Sequence, residues 1–223
     1  MNPRLNVKVF LAAMVVLMAV PVAAGIHRLV QLAAGTAVAP DDARFFAAPI
    51  PVVVHIIGAS LFCVLGALQF APAFRRRSPR WHRIAGRILI ACGMAAALSG
   101  LWMTVFYPPA ANDGQLLFVI RLLVGSGMAA SLVLGLTAAR RRDIASHRAW
   151  LSRAYALGMG AGTQALLGIP VTVLFGTPGV STRTAFMFAG WALNLALVEW
   201  GLLQLRRAGA KLLPEGGREL ARV

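Results

Sequence analysis

Six stretches of this 223-residue chain stay apolar for about as long as a helix needs to cross lipid. They run over approximately residues 8–33, 48–70, 85–107, 116–138, 150–175 and 184–204. A helix rising about 1.5 Å per residue needs about 20 such residues to traverse a hydrocarbon core about 30 Å thick. No water reaches backbone N–H and C=O groups there, and a helix satisfies them within its own segment. Hydrophobic residues make up 59% of the chain and charged residues 13%, with a mean hydropathy of +0.74. A soluble domain of that composition would lack the polar surface to cover its core. The expectation is an all-α integral membrane protein, a six-helix bundle in direct contact with the lipid bilayer. No connection is long enough to hold a separate unit, so residues 1–223 read as one transmembrane domain.

The formal net charge is +15 and the sequence pI about 11.8. In a soluble domain that balance would point to nucleic acid. Here there is no soluble domain to carry such a surface, and the arginines stand in short runs between apolar segments. Cytoplasmic connections hold the excess of Lys and Arg. With the N-terminus inside, all but four of the 22 basic residues fall on the inner side. The inner set includes Arg4, Lys8, Arg75, Arg76, Arg77, Arg140, Arg141, Arg142, Arg206, Arg207, Lys211, Arg218 and Arg222, and the exceptions are Arg28, Arg44, Arg121 and Arg183. Both termini are therefore expected in the cytoplasm of a bacterial cell, with the chain a multi-pass protein of its cytoplasmic (inner) membrane. The first segment also admits a signal-peptide reading: a basic start to Lys8, an apolar run, and Val22-Ala23-Ala24 after Pro21 as a cleavage-like site. Apolar character continues through Leu29, Val30 and Leu32, which favours a full span.

Two connections share a spacing. Arg75-Arg76-Arg77 is followed by His82-Arg83, and Arg140-Arg141-Arg142 by His147-Arg148, with seven positions from the first Arg to the His in each. Leu65-Gly66 precedes one and Leu134-Gly135 the other, and Arg87 and Arg153 follow. Charge bias explains arginine runs but does not require a matched histidine. The pattern predicts a parallel repeat in which helices 2–3 correspond to helices 4–5 by rotation about the membrane normal.

Four histidines sit in or beside apolar segments: His27, His55, His82 and His147. His55 heads a face carrying Gly58, Phe62, Gly66 and Gln69 at helical spacing. His82 is followed in line by Gly86, Gly93 and Gly100, and His147 by Ala154, Gly158, Ala161 and Ala165. Small residues let helices approach closely, which accounts for such stripes as packing surfaces. They also leave room for a flat macrocycle beside imidazoles, the ligands of b-type haem. On that reading His27 and His55 would serve an outer haem b, and His82 and His147 an inner one. As a protein hydrogen-bonding group instead, His55 would find its partner at its own depth, where His27 and Arg121 are the candidates. Gln69, nearly four turns or about 21 Å away at helical rise, is too far.

The other intramembrane polar residues are Arg121, Gln164, Asn194 and Glu199. Arg121 lies near enough to an outer end to snorkel. Glu199 sits near the inner end of the last helix, where Arg87 or Arg153 would pair with it; proton transfer is its sharper reading. Cys63 and Cys92 lie apart inside apolar stretches and form neither a disulfide framework nor a CxxC pair. Gly125-Ser126-Gly127 lacks the Gly-x-Ser-Gly of an intramembrane serine protease, and no HExxH, P-loop or paired carboxylate occurs.

His55-x-x-Gly58, Gly66-x-x-Gln69-Phe70, Trp81-His82-Arg83-x-x-Gly86-Arg87 and His147-Arg148-x-Trp150-x-x-Arg153 together resemble an uncharacterised bacterial membrane family, domain of unknown function 2306, over residues 50–175. The resemblance implies a multi-pass bacterial membrane protein and brings no activity with it. A fainter similarity to cytochrome b561-type proteins is weakened by the loop position of His82 and His147. Three functions stay open: a b-haem electron carrier; a small-molecule or ion permease or anionic-lipid-binding protein; and an accessory subunit assembled with other membrane subunits.

Overall fold

A computed structural model describes residues 3–36 and 39–211. Among them are six helices long and apolar enough to cross a membrane, and no strand. Arg218 and Arg222, counted above for orientation, lie outside the described residues.

The first span is α1 (Pro3–Ala34), which runs unbroken through Val22-Ala23-Ala24. After the short α2 (Ala43–Ala47), the second span is α3 (Pro49–Gly66) with a 3-10 turn over Ala67–Phe70. The first arginine run lies in a six-residue helix, α4 (Pro72–Arg77), rather than in open loop. The third span, α5 (Pro79–Phe106), starts six residues earlier than the apolar pattern marks. Proline at the first position of α3, α4 and α5 sets each start, because its missing N–H is not needed there. The fourth span is α6 (Gln115–Arg140). The fifth is divided into α7 (Ile144–Gly158) and α8 (Gly160–Phe175), and the sixth is α9 (Val180–Lys211).

The fifth span runs through the middle of the bundle, touching α1, α3, α6 and α9. Its interruption at Met159 is stitched by its neighbour. Asn194 of α9 donates its amide to the Ala156 carbonyl at 3.2 Å and accepts from Thr163 Oγ1 at 2.9 Å. A polar side chain from a neighbouring helix thus serves backbone that the break would leave unsatisfied, the condition under which lipid tolerates broken helices. Gly160 and Gly190 admit α9 closely at the same level, where any Cβ would strike Trp191 or Gln164.

The two hairpins α3/α5 and α6/α7 can be compared residue by residue. His82 is the fourth residue of α5 and His147 the fourth of α7, and their backbone N–H groups donate to Ser78 O and Asp143 O, each at 3.0 Å. Eleven residues on, Gly93 and Gly158 press on opposite edges of one ring, Phe62, where added methyl groups would approach ring carbons to 2.8 and 2.9 Å. The hairpins differ in their turns. Between α6 and α7 the chain reverses at Arg142, held in the left-handed region at φ 61°, and Asp143 caps α7 by accepting from Ser146 N–H at 3.0 Å. They differ also in that α5 continues past its glycine while α7 stops there.

Candidate functional site

A cavity of about 710 Å3 occupies the half of the bundle away from the arginine runs. Its walls come from all six spans, and the connection between α5 and α6 lies at its mouth. Most of the wall is apolar, including Met18, Phe62, Met128 and Trp191, and polar side chains break it, among them His55, Arg44, Asp113, Arg121 and Gln164. A largely apolar cleft with a few placed polar groups is the usual form of a small-molecule site.

His55 is positioned by α5. Its Nδ1 lies 2.9 Å from the Ala96 carbonyl oxygen. A carbonyl only accepts, so Nδ1 carries the proton and Nε2 the lone pair. Gly100 makes room for the ring, since a methyl group there would sit 3.3 Å from Cε1. Ser99 Oγ donates to Ala95 O at 2.6 Å and braces the same turn. Nε2 has no hydrogen-bond partner among the described residues. The partner of His55 is thus a backbone carbonyl of the facing helix, and neither His27 nor Arg121 bonds to it. A backbone acceptor leaves no mark in a sequence pattern, which is why spacing alone pointed elsewhere.

The mouth is held by charge. Asp113 accepts from Arg121 through both oxygens, at 2.7 and 3.1 Å, and from Arg183 Nε at 2.8 Å. Burial pushes this carboxyl's pKa up, but the two guanidiniums outweigh burial and hold it below its ordinary value. Arg121 therefore binds a carboxylate rather than snorkelling to water. Arg28 pairs with Asp42 at 2.6 Å. Arg44 Nη1 donates to Pro108 O at 2.9 Å, and Tyr107 Oη to Ala48 O at 2.5 Å. Burial raises the Tyr107 phenol above its usual pKa. Phe45 lies between two guanidiniums, those of Arg28 and Arg44, each 4.8 Å from its ring centre.

The remaining sequence candidates lie elsewhere. His27 is exposed on α1. His82 and His147 are at the arginine-rich end, within electrostatic reach of each other. His147 Nδ1 donates to Gly135 O at 2.9 Å, whereas His82 Nδ1 and Gln69 Oε1 are buried without partners. Arg153, not Arg87, meets Glu199, through bonds of 2.5 and 2.9 Å, and Arg87 is exposed.

A haem b held between His27 and His55 does not fit this cavity. His55 is the one histidine in the cavity wall, so no second imidazole faces it there. The glycine stripes that promised a flat slot are filled by protein. Gly58 meets the backbone of α5, Gly66 the Tyr155 ring, and Gly93 and Gly158 the Phe62 ring. Sequence reasoning also passed over Arg44 and Asp113. Their signal was available: Arg44 is one of four arginines on the wrong side of the charge rule, and Asp113 lies between two of the others in sequence.

The chain matches the family described as "Predicted membrane protein (DUF2306)" over residues 52–202, more than half its length. It belongs to that family. No curated protein and no solved structure matches it. The match takes in α5, α6, α7, α8 and most of α3, and so includes His55 and the connection bearing Asp113.

Proposed function

We propose that this family member is a small-molecule binding and permeation protein, with its substrate site in the cavity around His55. The observation that carries the reading is the state of that histidine. One ring nitrogen is fixed by the Ala96 carbonyl, and the other is a lone pair without a protein partner in the wall of a 710 Å3 cavity. That nitrogen belongs to a half-buried ring in the cavity wall, so it is placed to accept from a ligand O–H or N–H. The interrupted fifth span supports the same reading. Its Gly158, Ala161 and Gln164 line the cavity on both sides of the break, and broken helices commonly frame transporter sites.

In this reading residues 1–223 act as one unit in a bacterial cytoplasmic membrane, both termini inside, and the cavity faces the outer half. Native mass spectrometry of the purified chain tests it. A small molecule is expected to remain bound to the wild type and to be lost from His55→Ala. A haem-supplemented preparation showing a Soret band that His55→Ala abolishes would replace this function with the electron-carrier one.

A further inference from the structure

The charges around the cavity mouth specify the ligand further. Its walls hold two guanidiniums, Arg44 and Arg121, and one carboxylate, Asp113. Asp113 is already shared by Arg121 and Arg183, so it has nothing left for Arg44. Asp42 is engaged with Arg28, and Asp41 is exposed with no ion pair among the described residues. Arg44 is left with a neutral carbonyl and the face of Phe45, and its Nε is buried with no hydrogen-bond partner. A guanidinium presents its donors in a fork that matches an oxyanion, and this half-buried one has no carboxylate partner among the described residues. Below it the wall turns apolar, with Met18, Phe62, Met128 and Trp191.

We propose that the cavity takes an amphiphilic anion, a carboxylate or phosphate head on an apolar body, with the head on Arg44 and the body toward Phe62 and Trp191. This rests on the binding function proposed above and names its substrate class. Arg44 supplies the counter-charge and the terminal guanidinium N–H groups that Pro108 leaves unused. His55 Nε2, deeper in the wall, accepts from any hydroxyl along the body. The same head-group chemistry comes from an acyl chain drawn out of the bilayer or from a water-soluble organic acid.

The test uses the full chain in non-ionic detergent with two probes, 12-bromododecanoate and 12-bromododecanol. Bromine quenches nearby indoles, and the quench missing from Trp191→Phe isolates the cavity tryptophan from the lipid-facing ones. The acid is expected to quench Trp191 at concentrations about ten-fold or more below the alcohol. Arg44→Gln should erase that preference, and Arg44→Lys, which keeps the charge, should retain most of it. The charge-retaining variant answers the question if Arg44→Gln does not fold. Competition by benzoate would assign the head group to a soluble acid, and competition by unbrominated dodecanoate alone to a bilayer acyl chain; both support an anion. Equal quenching by acid and alcohol, unchanged by Arg44→Gln, would overturn the anionic class while leaving a binding cavity. No quenching of Trp191 by either probe would overturn the cavity function as well.

Discussion

The two ends of the bundle treat arginine in opposite ways. At the end holding the arginine runs, Arg75, Arg76, Arg77, Arg80, Arg83, Arg87, Arg140, Arg141, Arg142 and Arg148 are exposed, and among the described residues Arg153 alone has a carboxylate. At the other end all four arginines are tied: Arg28 to Asp42, Arg121 and Arg183 to Asp113, and Arg44 to Pro108 O. Charges in the first group are free to meet water and lipid phosphate, and they work by number. Those in the second hold the ends of particular helices together, and they work by geometry. A basic residue against the topological charge rule is therefore a better pointer to a built site than one that obeys it.

Reporter fusions break the comparison most sharply. Fusions after residues 42, 111 and 178 should read outside the cell, and fusions after 78 and 143 inside. A reversed signal at any of them would make the tied arginines cytoplasmic and undo the assignment of ends. Next in size is Asp113→Asn. Removing one partner of a buried ion pair costs about 3–5 kcal/mol, and with each arginine side chain 26% exposed the loss should fall to about 2–3 kcal/mol. Thermal unfolding in detergent measures it, and a loss no greater than that of a surface change would mean the knot holds nothing.

Acid should find the same knot. Asp113 titrates below its ordinary value in the folded chain, so its contribution is complete above about pH 4 and is lost as pH falls through the depressed folded value. The wild type should lose stability across that acid window by more than Asp113→Asn does. Smaller again is Glu199→Gln. That pair is 23% and 45% exposed, and its removal should cost about 1 kcal/mol or less. Smallest is Arg80→Gln at the arginine-rich end, expected within about 0.5 kcal/mol of wild type.

Much of the architecture was legible because lipid imposes simple demands. Six apolar lengths gave six spans, and the missing polar alternatives gave helix for each. The early starts of α5 and α7 were hidden because their first turns carry Arg80, His82 and Arg83, or Ser146, His147 and Arg148, and so read as connection. The break at Met159 was hidden because no proline marks it, and the residue that stitches it, Asn194, lies on another helix. At the site, His55 stood out as an intramembrane imidazole. The glycine stripes invited a flat ligand because a missing Cβ shows only that something comes close. Aromatic rings and backbone of the same chain turn out to be what comes close.

Phe62 has a mechanical consequence. Its ring fills the notch at Gly93 in one hairpin and the notch at Gly158 in the other. The ring belongs to α3 and moves with its own hairpin, so sliding the other hairpin along its axis would bring a residue bearing a Cβ against it and be resisted by close packing. Phe62 thus keys the second hairpin to the first and fixes their relative register along the membrane normal. Because the ring also belongs to the cavity wall and the fifth span breaks one residue beyond Gly158, the same key sets the shape of the cavity floor.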